Sequence, residues 1–102
     1  MALANDVTLD ARLAARGDLR FTPAGIPALD FQLAHESTQT EADAARHVAC
    51  ELAGVAIGPL ARDLAAVAVG AQVRCRGFLA RRYRTGSSVA LHVNAFELME
   101  GN

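Results

Sequence analysis

Apolar residues return at every second position in five separate stretches of this chain, and once the spacing changes to that of a helix. Val7, Leu9, Ala11 and Leu13 alternate with Thr8, Asp10 and Arg12. Leu29, Phe31 and Leu33 alternate with Asp30, Gln32 and Ala34, and Val48, Cys50 and Leu52 with His47, Ala49 and Glu51. Val73, Cys75, Gly77 and Leu79 alternate with Arg74, Arg76 and Phe78, and a last run holds Val89, Leu91 and Val93. A period of two is that of a strand with one face buried. In the last run Phe96 and Leu98 continue at the opposite parity, so one extra residue is expected at Asn94–Ala95, as a β-bulge supplies.

The connections are read from turn chemistry. Arg16-Gly17-Asp18 breaks the first strand, and Phe21–Pro27 is a turn in which Pro23 presets φ and Gly25 can take positive φ. Residues 35–45 are polar and aperiodic, and read as a mobile loop. Gly58-Pro59 opens the single helical stretch, with Leu60, Leu64 and Val67 on one face. It is expected to run from Pro59 to about Val69 and to end at Gly70. Arg81–Ser88 is a hairpin loop with Gly86 near its tip.

The order is three strands, a helix, then two strands. Five antiparallel strands make a small sheet with exposed edges, and closure into a barrel removes them. The expected fold is therefore all-β: a five-stranded Greek-key OB-fold barrel with one short helix between strands 3 and 4, formed by residues 1–102 as a single domain. A three-stranded sheet capped by a helix is the alternative. The 102 residues suffice for one core and little more. With 22 alanines and no Trp, the large apolar side chains available to that core are few.

Several function classes fall away. No run of 18 or more apolar residues exists to span a membrane. The N-terminal residues lack the basic and apolar regions of a signal peptide, so a cytoplasmic chain with reduced thiols is expected. No H-E-x-x-H, Walker A or G-x-S-x-G motif occurs, and no carboxylate pair stands out, so no enzyme activity and no cofactor is expected. Cys50 and Cys75 share the core parity of their strands and read as small buried hydrophobes. A metal site joining them to a histidine would need side chains from opposite barrel faces.

The formal net charge of -1 argues against a nucleic-acid binder until it is resolved along the chain. Residues 1–63 hold five Arg and nine acids, whereas residues 64–96 hold five Arg and no acid. All ten basic residues are Arg. A surface built for solubility mixes both signs, so this basic third points to a ligand. Guanidinium forks pair with phosphates and stack on bases, and an aromatic ring offers a stacking face. OB-folds bind oligonucleotides on the strand 2–3 face and through the 1–2 and 4–5 loops. The candidate set is Arg81, Arg82, Tyr83 and Arg84 in the 4–5 loop, and Arg74 and Arg76 facing outward on strand 4. Arg20 in the 1–2 connection and Arg46 and His47 at the start of strand 3 complete it. These groups are expected to converge on one side of the barrel. Phe78 faces outward and suits either a subunit contact or DNA. With few stacking platforms, electrostatics should dominate and affinity should fall with salt.

Phe21-Thr-Pro-Ala-Gly-Ile-Pro27, Phe31-Gln-Leu-Ala-His35, Gly77-Phe-Leu79, Leu91-His-Val93 and Glu97-Leu98 together resemble the primosomal replication protein N (PriB) family, bacterial relatives of single-stranded-DNA-binding protein. The resemblance spans nearly the whole chain. It implies an OB-fold homodimer that binds single-stranded DNA and acts in replication restart with the PriA helicase and other primosome proteins. Single-stranded-DNA-binding protein itself continues into a long tail with an acidic tip, whereas this sequence reaches Met99-Glu-Gly-Asn102 soon after its last strand, which favours the primosomal relatives. Arg20 matches the family's basic residue before the turn, and Arg81, Arg82 and Arg84 match its basic loop in kind. Ala49 stands where some members carry a stacking aromatic, and Glu36 where some carry a basic residue. Both departures weaken the DNA face. An adaptor that works mainly through the helicase is therefore the second reading. An RNA-binding OB module is a third, since nothing in the chain reads the 2′-OH.

Overall fold

A computed structural model describes residues 2–99. The elements, in chain order, are β1 (Val7–Arg16), β2 (Arg20–Phe21), β3 (Pro27–Glu41), β4 (Ala44–Ile57), α1 (Pro59–Ala65), β5 (Gln72–Arg81) and β6 (Val89–Leu98). The sheet order is β1-β5-β6-β4-β3-β2, and β1 also pairs with β3. That second pairing closes five strands into a barrel, with β4 and β6 parallel and the other pairs antiparallel. This is the expected OB-fold, with α1 between its third and fourth strands. The two-residue β2 is additional: Arg20 and Phe21 pair with Ala28 and Pro27 at the start of β3.

Strand parity places the core as the sequence implies. Ala11, Leu13, Leu29, Phe31, Leu33, Val73, Cys75, Leu91 and Val93 are buried in one cluster, which Leu64 and Val67 close from the helix side. A core this poor in large side chains fills its volume by close backbone approach. Phe31 stands directly opposite Gly54, and a Cβ there would lie 2.1 Å from the ring. At Gly77 a Cβ would lie 1.9 Å from the His92 carbonyl oxygen. The register of β5 on β6 steps from Arg76–Ala95 to Gly77–Val93, which leaves Asn94 unpaired and is the bulge expected at that position.

Three expectations are corrected. Residues 35–45 are not a loop. β3 and β4 stay in register out to Glu41–Ala44, turning through Ala42 and Asp43 at φ 51° and 63°. Two positive φ values in a two-residue connection are the geometry of a primed hairpin turn. The helix ends at Ala65 rather than near Val69. The chain beyond it turns to hydrogen-bond β1, the Gly70 amide donating to Leu13 O and the Leu13 amide to Ala71 O. Gly70, at φ 99°, serves that turn instead of a helix end. Cys50 is exposed, since its part of β4 has left the barrel, whereas Cys75 is buried as expected.

Two outcomes follow. In the native protein a thiol reagent should modify Cys50 alone. Burial pushes the Cys75 thiol up to about 11, so it should react only on unfolding, giving a second equivalent in urea. Gly77→Ala should destabilise the fold by about 3 kcal/mol or more, because the atom it meets is backbone and cannot repack. Urea unfolding followed by circular dichroism measures this.

Candidate nucleic-acid interface

Nine side chains were expected to form the site, and ion pairing divides them. The Arg74 guanidinium donates to both Asp10 carboxylate oxygens, at 2.6 and 3.0 Å, and lies 3.7 Å from Glu97. Asp10 and Arg74 are register partners on β1 and β5, and Arg74 and Glu97 on β5 and β6. The hydrogen bond from Arg74, with its charge, holds the Asp10 carboxyl below the usual carboxylate range and raises the pKa of Arg74 in return. Arg20 donates to Asp30 at 3.1 and 3.3 Å, and Arg46 to Glu41. The Arg20 and Arg46 pairs are exposed and weak in stability terms, and the Arg74 pair is half-buried, but each guanidinium already has an anion. Arg76, Arg81, Arg82 and Arg84 have no carboxylate partner among the described residues.

All four lie on β5 and the loop that follows. The loop is exposed from Arg82 to Ser88 and is closed by the Arg82 amide donating to Ser88 O at 2.8 Å. Arg81 Nη1 donates to the Arg84 carbonyl at 2.8 Å, which steadies one guanidinium within the loop. The Arg82 guanidinium lies 5.2 Å from the centre of the Tyr83 ring, itself 59% exposed. A cation over a ring face holds both groups in place at small cost.

The loop meets the 1–2 connection. Arg82, Arg16, Gly17, Asp30 and Gln32 line one cleft of about 240 Å³. With Arg20 held on Asp30, three arginines from three segments gather near one carboxylate. Beside them Arg62 of α1 lies 5.4 Å from the ring of Phe21. Sequence reasoning missed Arg16 and Arg62. Arg16 ends a strand that signalled core, and Arg62 sits on the polar face of a short helix.

Arg46 and His47 do not join this group. They pair with Gln39 and Thr38, whereas Arg20 pairs with Ala28. Ten residues of strand separate the two places, on the order of 30 Å. Of the expected convergence, the structure brings together the β1–β3 connection and the β5–β6 loop, through Arg82, and leaves out the start of β4. The reason is the length of the β3–β4 hairpin, which carries Arg46 and His47 beyond the barrel. Between the two groups the outer face of β3–β4 holds no arginine. Glu36 and Ala49 are direct register partners there, and Glu51 stands opposite Ala34.

On the other flank, Phe78 and His92 are register partners whose rings stack at 5.3 Å and 14°. No group of three or more potential metal ligands exists among the described residues. No helix among them is long and apolar enough to cross a membrane.

Residues 5–95 match the model of a family described as "another single-strand binding protein family". The replication restart protein PriB of Bordetella pertussis is 38% identical over 96% of this chain and 92% of its own length. The PriB of Nitrosomonas europaea is 32% identical over 87% of this chain and 82% of its own. The solved structure of PriB from Ralstonia solanacearum superposes with a TM-score of 0.89 at 31% identity, covering 96% of this chain and all of that one. The single-stranded DNA binding protein of Thermus aquaticus superposes at 0.77 and 26% identity, with 51% of its chain covered. These likenesses share one barrel and one order of elements, and the chain belongs to the PriB family of single-strand binding proteins.

Proposed function

We propose that this chain is a single-stranded-DNA-binding accessory protein of replication restart. It holds DNA through Arg76, Arg81, Arg82 and Arg84 and supports the PriA helicase in the cytoplasm. One observation carries the reading: the arginines without a carboxylate partner in the basic third lie on one strand and its loop, beside an exposed tyrosine. A guanidinium already on a carboxylate must give up that partner to take a phosphate. Arg20, Arg46 and Arg74 are therefore secondary contributors, with His47 beside Arg46. The low total charge gives little long-range attraction, so contact is local and falls with salt.

A homodimer fits the edges that the barrel leaves open. β1 pairs with β3 only from Arg12–Ala34 onward. Beyond that point the two strands part around a cleft of about 700 Å³ lined by Thr8, Leu9, Asp10, His35, Ser37 and Gln39 among others. His35 bridges its inner end, with Nδ1 2.6 Å from the Asp10 carbonyl and Nε2 2.7 Å from the Ser37 hydroxyl. Unpaired strand edges are templates for a second chain.

The face bearing Glu36, Ala49 and Glu51 favours a second reading, a protein–protein adaptor that touches DNA weakly. Titration of fluorescent oligo-dT at several salt concentrations separates the two. Each phosphate contact to a single strand contributes about 0.7 to the slope of log affinity against log salt. Arg81→Ala/Arg82→Ala/Arg84→Ala should lower that slope by about 2 and weaken binding at every salt. An unchanged slope and affinity would remove the loop from the site, and helicase stimulation that survives the triple change would favour the adaptor. Light scattering on the purified chain should return twice the monomer mass.

A further inference from the structure

The proposed phosphate contacts leave one built feature of the same surface without a role. Register places Phe78 of β5, His92 of β6, Val55 of β4 and Asp30 of β3 side by side across four strands. Phe78 is 40% exposed and Ile57, one outward position along β4 from Val55, is 53% exposed. With Pro59, Asn94 and His92 they line a cleft of about 380 Å³. That volume lies within the range of about 300–1,000 Å³ of small-ligand pockets. The cleft is apolar, with one amide and one imidazole at its wall.

The feature is held by specific backbone. Gly77 lets β6 approach so closely that a Cβ there would lie 1.9 Å from the His92 carbonyl oxygen, and next to it the Phe78 and His92 rings stack at 5.3 Å. The bulge opposite it leaves Asn94 unpaired and exposed beside the cleft. Bulges of this kind re-aim a side chain. Unpaired positive charge flanks the cleft along β5, whereas on the β3 side Asp30 is already held by Arg20. Arg76 precedes Phe78 by two residues on the same strand face, and Arg82 follows by four. From Arg76 on β5 to Arg82 just past its end the extended chain spans about 20 Å, a length that the roughly 4–16 nucleotides of an OB-fold footprint cover.

We infer that this cleft receives an unstacked base of the single strand whose phosphates lie on Arg76 and the arginine loop. Phe78 and His92 supply the stacking surface and Asn94 a hydrogen-bonding edge. The inference rests on the strand-binding reading above and adds a surface on β5–β6 beyond the strand 2–3 face and the two loops. A base fits better than a peptide because the guanidiniums that flank the cleft along β5 have no carboxylate partner, and because the rings are already ordered against each other. Base stacking is tolerant of sequence, so the contact adds affinity with little sequence preference.

The test uses the full chain and fluorescein-labelled oligo-dT, with the same oligonucleotide carrying abasic sites as a second probe. Phe78→Leu keeps apolar bulk and removes the π face. It should weaken oligo-dT binding roughly 5- to 140-fold, the span of about 1–3 kcal/mol per stacked base at a tenfold per 1.4 kcal/mol. Because a neutral ring displaces no counterion, the salt slope should stay as in the wild type. Phe78→Trp should restore binding, and the abasic probe should bind wild type and Phe78→Leu alike. Thermal melting confirms that each variant is folded. If Phe78→Leu binds oligo-dT as tightly as wild type while the triple arginine variant does not, the base site is wrong and the loop stands. Were the wild type to bind no oligo-dT, both readings would fall. A Phe78→Leu protein that binds DNA normally but loses its dimer mass would make the cleft a subunit contact and overturn the inference.

Discussion

β1 is hydrogen-bonded to two partners in succession, and the closed barrel depends on that. Its first half pairs with β5 from Val7–Gly77 to Arg12–Gln72, and its second half with β3 from Arg12–Ala34 to Arg16–Phe31. To close the barrel the strand must curve as it passes from one partner to the other. The step in register between Leu13 and Ala15 gives the bend, in the way an extra residue increases local twist. Leu13 anchors it, fully buried and bonded on both sides to the turn after the helix through Gly70 and Ala71. From this one bend follow the closure of the sheet, the gap in which β1 and β3 part, and the meeting of the 1–2 connection with the loop after β5. The candidate interface is thus a consequence of how a ten-residue strand is shared.

Electrostatics then sorts the arginines that the fold has brought out. On a sheet, residues directly opposite each other are near enough to pair, so strand position decides each side chain's fate. Asp10 faces Arg74 across β1–β5, and Glu97 faces it across β5–β6. Two residues along β5, Arg76 faces Thr8 and Ala95 and finds no acid. Past β1 there is no neighbouring strand to supply one, and the loop arginines are left to solvent. The acid-free segment in the sequence is therefore only part of the reason. Arg74 belongs to that segment and is still neutralised, by acids that lie 64 and 23 residues away in the chain.

The period of two revealed the barrel wherever one strand face is buried. It also located the bulge at Asn94, because the parity of apolar residues must change where one residue is skipped. It failed for residues 35–45, and the cause is physical. Beyond Ala34 the β3–β4 hairpin leaves the barrel, so most of its side chains on both faces meet solvent and no alternation is imposed on them. Its turn was hidden as well. Ala42 and Asp43 adopt positive φ where Asn-Gly would ordinarily announce it. The full hairpin carries Arg46 and His47 farther from the loop arginines than a loop over residues 35–45 would. Cys50 was misplaced for the same reason, since core parity carries meaning only where there is a core.

The same reasoning explains why the outer face of β3–β4 can be acidic in a protein of this family. A strand-binding surface needs cations and ring faces, but it need not draw both from the same pair of strands. Here β3 and β4 offer Glu36, Glu51 and Ala49 outward, whereas β5 offers Arg76, Phe78 and the start of the arginine loop. On the proposed reading, phosphates would be repelled from the first face and attracted to the second. A strand following the favourable charge would leave the 1–2 connection, cross Arg82 and run along β5, with the acids of β3–β4 limiting how far it spreads. On the proposed reading, binding would lie beside the β3–β4 face rather than on it, around the same closed barrel.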